Sequence, residues 1–213
     1  MKYILLSPVG QHKRHHLLKF AEAVRNLNPA PEEIVLCLDA DSTPISIPFL
    51  GLPFEKTIIK TNPAIEYPSG DLQRICSARE ILRNHFIYHP KKYEYALWVD
   101  SDILLPPNTA EVLRQIMEKE NCLVVVNKYQ GRNRDMWCGS GVMLTSRDAC
   151  TASRFWVGIT HDKDGVEKHL SEDFVFFAIL DQGRTFLKGW CGKSGRVCDE
   201  YVKVEHLLEK EKR

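Results

Sequence analysis

YALWVDSDILLPP, residues 95–107, joins an apolar run to a pair of acids and decides how the chain is read. Ala96, Leu97, Trp98 and Val99 form a short apolar stretch that ends at Asp100 and Asp102. An apolar run of this length bounded by polar residues predicts a strand buried on both faces. In open α/β sheets, ligands bind at the carboxyl ends of such strands. Two carboxylates placed there repel each other and are costly to desolvate unless cations or hydrogen bonds compensate. Asp100-Ser101-Asp102 therefore reads as half of a site for Mg²⁺ or Mn²⁺, ions that favour oxygen ligands. Two further Asp-x-Asp patterns, Asp39/Asp41 and Asp162/Asp164, show that the motif alone is weak. The last, within HDKDG, reads as a polar turn.

The context is that of an ordinary globular chain. Its 213 residues suffice for one domain with a sizeable core, and 44% hydrophobic with 27% charged residues fits that class. A net charge of +1 gives no reason to expect nucleic acid or an anionic membrane as partner. The one basic run, HKRHH at 12–16, reads as a solvated helix face. No apolar stretch reaches the roughly 18 residues of a membrane span. MKYILLSPVG reads as a strand rather than a signal peptide, so a cytoplasmic location is expected. Of seven cysteines none forms a CxxC pair; Cys191 and Cys198 can pair across their loop, but reduced thiols are the expectation.

Periodicity predicts alternating elements. Strands are expected at 2–7, 34–38, 56–60, 95–99, 122–126 and 142–145, with further candidates at 184–188 and 197–204. Helices are expected over 11–27, 71–89 and 109–120, with Asn108 and Glu111 as a capping pair, and over a segment capped by Ser171 and closed by Gly183. No linker or repeat divides residues 1–213, which predicts one α/β domain with a mainly parallel, twisted central sheet flanked by helices.

Three distant features add weight to the two acids. Arg79 falls on the same helical face as Leu72, Ile75 and Leu82, and a partly buried guanidinium needs an anion. Its partner is either a structural one, Asp39 or Asp100, or a diphosphate. Glu172 and Asp173 begin a helix, where acids suit the dipole and where one can also serve as a general base. His206 comes late in the chain after VKVE, and a lone histidine there has a structural reading beside a ligand one.

Taken in order, ILLSPVGQHKRHHLLKFAEAV, CSAREIL, YALWVDSDILLPP, CGSGVMLTSRDAC and SEDFVFFAIL resemble nucleotide-sugar-dependent glycosyltransferases of the GT-A fold. The pattern is similar to family 2 and to the fungal mannan-polymerase mannosyltransferases. The resemblance covers about residues 3–206. It implies that Pro8 and Val9 contact the nucleoside, that Asp39 bonds the base and that Arg79 approaches the nucleotide. It implies that Asp100, with Ser101, holds the ribose or a metal-bound water. Asp102 and His206 would ligate the metal, to which Asp100 also contributes. Gly139, Ser140 and Gly141 would line the sugar pocket, and Lys193 and Arg196 would close over the diphosphate. Asp173, or in second place Glu172, would take the acceptor proton. Where relatives often carry Ala-Arg-Asn, this chain has Ala78-Arg79-Glu80.

The function so implied is metal-dependent transfer from GDP-mannose or a UDP-sugar to a hydroxyl of a glycan, lipid or protein. Glu172-Asp173 fits the inverting pattern better. Alternatives are a sugar-1-phosphate nucleotidyltransferase, which usually has more glycine after the first strand, and a non-catalytic nucleotide-sugar-binding module. An Asp-x-Asp phosphatase would place a threonine soon after the second acid, where Ile103-Leu104-Leu105 stands.

Overall fold

The computed structural model describes residues 1–38, 51–61, 71–128, 141–161, 163–183 and 196–207. In chain order the elements are β1 (Tyr3–Val9), a 3₁₀ turn (Gln11–His16), α1 (Leu17–Arg25), β2 (Glu33–Leu38), β3 (Glu55–Lys60), α2 (Asp71–Tyr88) and β4 (Tyr95–Val99). Then follow β5 (Ile103–Leu104), α3 (Thr109–Lys119), β6 (Val124–Asn127), β7 (Val142–Ser146), α4 (Arg147–Ala152), β8 (Gly158–His161), β9 (Glu167–Leu170), α5 (Glu172–Gly183), β10 (Arg196–Asp199) and β11 (Glu205–His206).

Seven strands form one sheet in the order β10-β6-β7-β4-β1-β2-β3. β1 runs parallel to β2 and β4, β2 to β3, and β10 to β6; β7 alone runs against its neighbours β4 and β6. The sheet is thus mainly parallel, as the sequence predicts.

Both faces of the sheet are covered, and the strand period of two sorts the side chains between them. Tyr3, Leu5, Leu36, Leu97, Val99 and Leu144 pack on one face with Leu17 and Phe20 of α1 and Leu113 of α3. Ile4, Leu6, Cys37, Trp98 and Met143 pack on the other with Leu82 and Phe86 of α2, Cys150 of α4 and Phe176 of α5. Continuous apolar strands are needed because neither face meets water. Trp98 is fixed twice: its indole N–H donates to Thr145 Oγ1 at 2.9 Å, and its ring meets Phe155, which stacks on Phe176. That aromatic column seats α5 against the sheet and so sets the position of its first residues.

Several local expectations need correction. The first helical segment begins as a 3₁₀ turn, and α-helix starts only at Leu17. Asn108 makes no side-chain cap, and the Glu111 carboxylate is taken by Arg114 and Gln115 within the helix. The strand expected over 197–204 forms only as far as Asp199, within β10; β11 begins beyond the expected span and lies in a different sheet. Cys198 is disulfide-bonded, contrary to the expectation of reduced thiols, with a partner outside the described residues; Cys37, Cys76, Cys122 and Cys150 are free. The β8–β9 hairpin was not foreseen, since GITH and EKHL lack an apolar alternation. Gly165, at φ 77°, lies in its connection, within the segment read as a polar turn. The strand expected at 184–188 lies outside the described residues.

Candidate active site

Asp100, Ser101 and Asp102 form the turn that follows β4, at the carboxyl end of that strand. All three are buried. The turn is held by Ile103 N–H, which donates to Asp100 O at 3.0 Å, and by Asp100 N–H, which donates to Gly141 O at 2.9 Å. The second bond brings Gly141 beside the acids.

Arg79 lies on α2, which packs against β1 and β2, and only 2% of it is exposed. Its Nη2 donates to Asp100 Oδ1 at 2.7 Å. Its Nη1 donates to Asp173 Oδ1 at 2.7 Å and also contacts Glu172 Oε1. One guanidinium therefore joins three carboxylates from two segments. Burial works against the charge of Arg79, but Asp100, Asp173 and Glu172 outweigh it and hold its pKa above the ordinary value. Among the described residues the guanidinium faces the carboxylates of Asp100, Glu172 and Asp173.

Glu172 and Asp173 open α5. Ser171 caps the helix, its Oγ accepting from Phe174 N–H at 3.4 Å. Glu172 is buried, and desolvation first, then the charges of Asp173 and Asp100, push its pKa up to about 7 despite Arg79. Asp173 retains 20% side-chain exposure against 5% for Glu172, so it is the acid open to an incoming molecule.

Asp102 has a separate set of partners. Its Oδ2 lies 3.0 Å from Lys13 Nζ and 3.2 Å from His206 Nε2. Burial opposes ionisation, but Lys13 and then His206 hold the carboxyl below its usual range. His206 arrives through strand pairing: β11 runs antiparallel to β5, with His206 opposite Ile103, and Leu207 N–H donates to Asp102 O at 2.7 Å. The residues before β11 are tied by Asn127, at the end of β6. Its Oδ1 accepts from Tyr201 and Val202 N–H, both at 2.9 Å, and its Nδ2 donates to Val202 O at 2.9 Å.

The basic run at 12–16 is thus not simply a solvated face: Lys13 reaches Asp102 and His16 is buried. Lys13 and Asn127 were missed by sequence reasoning. For Lys13 the available signal was its place in the loop after the first strand, at the ligand-binding edge. Asn127 ends an apolar strand and carries no signal of its own. Pro8 and Val9 end β1 and are buried, Val9 within the core. Asp39, Gly139, Ser140 and Lys193 lie outside the described residues, and Arg196 is described only as the first backbone position of β10. Glu80, the departure from Ala-Arg-Asn, binds Arg83 and accepts from Phe155 N–H at 3.0 Å, which makes it part of the helix packing.

Asp102 and His206 fit a divalent ion. Two adjacent ligand atoms on an octahedral ion with bonds near 2.1 Å stand about 3 Å apart, close to the 3.2 Å observed. An acid oxygen and an imidazole nitrogen form a donor set suited to Mn²⁺. Lys13 Nζ stands against the same oxygen and must yield or share it. Among the described residues the acids at 100, 102, 172 and 173 outnumber the cations that meet them, Arg79 and Lys13.

No family profile and no curated protein matches the sequence. Solved structures do. Glucosyl-3-phosphoglycerate synthase from Mycobacterium tuberculosis, in complex with Mn²⁺, UDP and phosphoglyceric acid, aligns with 98% of this chain and 71% of its own at TM-score 0.61 and 12% identity. TarS 1-349 from S. aureus with UDP aligns with 73% of this chain and 50% of its own at TM-score 0.54 and 14% identity. The same S. aureus protein with UDP-GlcNAc gives TM-score 0.54 and 13% identity, over 73% of this chain and 49% of its own. The chain thus spans about half the length of the S. aureus structures. At such identities the likeness is one of fold. The sheet order, the helices on both faces and these neighbours together identify the architecture as the GT-A, nucleotide-diphospho-sugar transferase fold.

Proposed function

We propose that the chain is a metal-dependent glycosyltransferase, with residues 1–213 as one catalytic domain, that moves a sugar from a nucleoside-diphosphate donor to an acceptor hydroxyl. The observation that carries this reading is the Asp102–His206 pair at metal-ligand spacing, one turn from an Asp100–Arg79–Asp173 bridge. The Mn²⁺ and UDP named for the mycobacterial neighbour, and the UDP-GlcNAc named for the S. aureus one, support a uridine donor as the first to test. GDP-mannose is the second, on the strength of the sequence resemblance.

In this mechanism Asp102 and His206 would hold Mn²⁺ or Mg²⁺, and Asp100 would face the ribose or a water on the ion. A divalent ion so held neutralises the charge that develops on the departing diphosphate. Arg79 acts as a positioning residue: it orients Asp100 with one nitrogen and Asp173 with the other, fixing donor and acceptor sides of the site relative to each other. Asp173 takes the proton of the acceptor hydroxyl. Buried Glu172 supports the Arg79 bridge. With Asp102 engaged by an ion, Lys13, which stands 3.0 Å from its Oδ2, would be left to pair with the diphosphate. Lys193 and Arg196 close over the diphosphate and exclude water, and Gly139, Ser140 and Gly141 line the sugar.

The test is a thermal-shift panel of UDP, GDP and their sugars with and without Mn²⁺. The native state gains stability with the logarithm of ligand over its dissociation constant. One nucleotide series raising Tm only with metal supports the reading. No metal-dependent shift with any nucleotide would sink it.

A further inference from the structure

A cluster of groups able to ligate a metal lies at the amino end of β2, away from the acids after β4. Glu33 opens β2, and His85 and His89 sit four residues apart in and just beyond the last turn of α2. Glu33 Oε2 is 3.1 Å from His89 Nε2, and Oε1 is 3.5 Å from His85 Nε2. One ligand atom from each residue can be chosen so that all three lie within 4.8 Å of one another. Around a tetrahedral ion with Zn–N bonds near 2.05 Å, ligand atoms stand about 3.3 Å apart. We propose that Glu33, His85 and His89 form a zinc site, distinct from the Asp102–His206 pair, that clamps the end of α2 to the start of β2.

The surroundings are those of a built site. Glu33 is 2% exposed, and its carboxylate is oriented by Thr57 Oγ1–H at 2.6 Å and Tyr93 Oη–H at 3.0 Å. Such outer hydrogen bonds fix a ligating carboxylate in place. The rings of His85 and His89 lie 5.0 Å apart, and both side chains keep some exposure, leaving a route for the ion and a fourth, solvent ligand.

A purely hydrogen-bonded cluster accounts for only part of this. His89 Nε2–H can donate to Glu33, and His89 Nδ1 accepts from Lys91 N–H at 3.2 Å. His85 Nε2, however, is shielded from solvent and makes no hydrogen bond. A metal gives that atom a bond in place of its 3.5 Å approach to Glu33 Oε1; the exposed Lys91 contact to His89 then yields, because a metallated His89 ring carries its proton on Nδ1. The site is remote from the acids after β4. Glu33 is at the amino end of its strand whereas Asp100 follows the carboxyl end of β4, and the stretch of α2 from Arg79 to its end at Tyr88, about 14 Å, lies between Arg79 and His89.

The experiment uses the full chain stripped with EDTA and titrated with Zn²⁺ alone, compared with His85→Gln and His89→Gln. Glutamine at 89 keeps a donor for Glu33 but is a poor zinc ligand. The wild type is expected to bind one equivalent more than either variant. At a hundredfold excess over the dissociation constant its Tm should rise by roughly 5–10 °C, a rise the variants lose. Equal stoichiometry and equal Tm rise in all three proteins overturn the proposal. If the variants fail to fold, imidazole NMR of the wild type decides: Zn²⁺ must shift the His85 and His89 resonances, and unshifted signals overturn the proposal.

Discussion

Arg79 Nη2 donates to Asp100 Oδ1 at 2.7 Å, while Nη1 of the same guanidinium holds Asp173 Oδ1 at the same distance. A residue on α2 therefore couples the turn after β4 to the start of α5, elements that are not neighbours in the chain. The planar fork of arginine suits this bridging; a lysine ammonium is a point charge without that geometry.

Replacing Arg79 leaves Asp100, Glu172 and Asp173 clustered with their shared cation gone. Removing one partner of a buried ionic cluster costs about 3–5 kcal/mol, so Arg79→Met is expected to lower the urea midpoint strongly. Arg79→Lys should recover only part of the loss. A midpoint unchanged in both variants would show that the bridge has no structural weight.

Asp102→Asn removes the charge that Lys13 and His206 share. The fold is expected to survive, as judged by circular dichroism, while Mn²⁺-dependent nucleotide binding disappears in calorimetry. Retained binding at the wild-type Mn²⁺ concentration would remove Asp102 from the metal site.

Asp173→Asn should leave donor affinity nearly intact and cut transfer by about a hundredfold, the usual scale for a general base. Transfer and donor binding are measured separately. Equal loss in both would mean that Asp173 acts only through Arg79.

Glu172 titrates near 7 in the folded chain against an ordinary value of 4.5. A carboxyl whose folded pKa is raised binds its proton more tightly when folded, so its contribution is complete below pH 4.5 and is lost as pH rises through 7. Glu172→Gln should therefore gain stability relative to the wild type between pH 5 and pH 8. Tm measured across that range checks it: a constant difference would exclude the titration.

Asn127→Ala frees two backbone N–H groups, of Tyr201 and buried Val202, and the Val202 carbonyl. Each unsatisfied group costs about 1–3 kcal/mol, and β11 loses the anchor that presents His206. Lower stability together with weaker Mn²⁺ affinity is expected. Loss of stability with unchanged Mn²⁺ affinity would show that β11 pairs with β5 unaided.

The architecture was legible because its signal is local. Apolar runs such as ILLSPV, IVLCL and YALWV are short, bounded and unalternating, which only a sheet covered on both faces requires. The acids at the end of β4 and the start of α5 were legible for the same reason, each lying at the boundary of an element. Where local signals competed, reading failed. Asn108 and Glu111 have capping chemistry, yet Arg114 took the carboxylate. The hairpin of β8 and β9 lies at the surface and needs no apolar alternation.

By itself, then, the sequence determined the layers, the strand that ends in Asp100-Ser101-Asp102 and the helix that begins with Glu172-Asp173. Only the tertiary structure decided which charges meet. Arg79 and Glu172 are 93 residues apart, and Asp102 and His206 are 104 apart. The place of Lys13 on Asp102 and of Asn127 on Val202 likewise follows from packing across the sheet rather than from residue type. Hydrophobic periodicity records whether a side chain is buried, whereas the partner of a buried charge is set by chain segments brought together on folding, which no local pattern encodes.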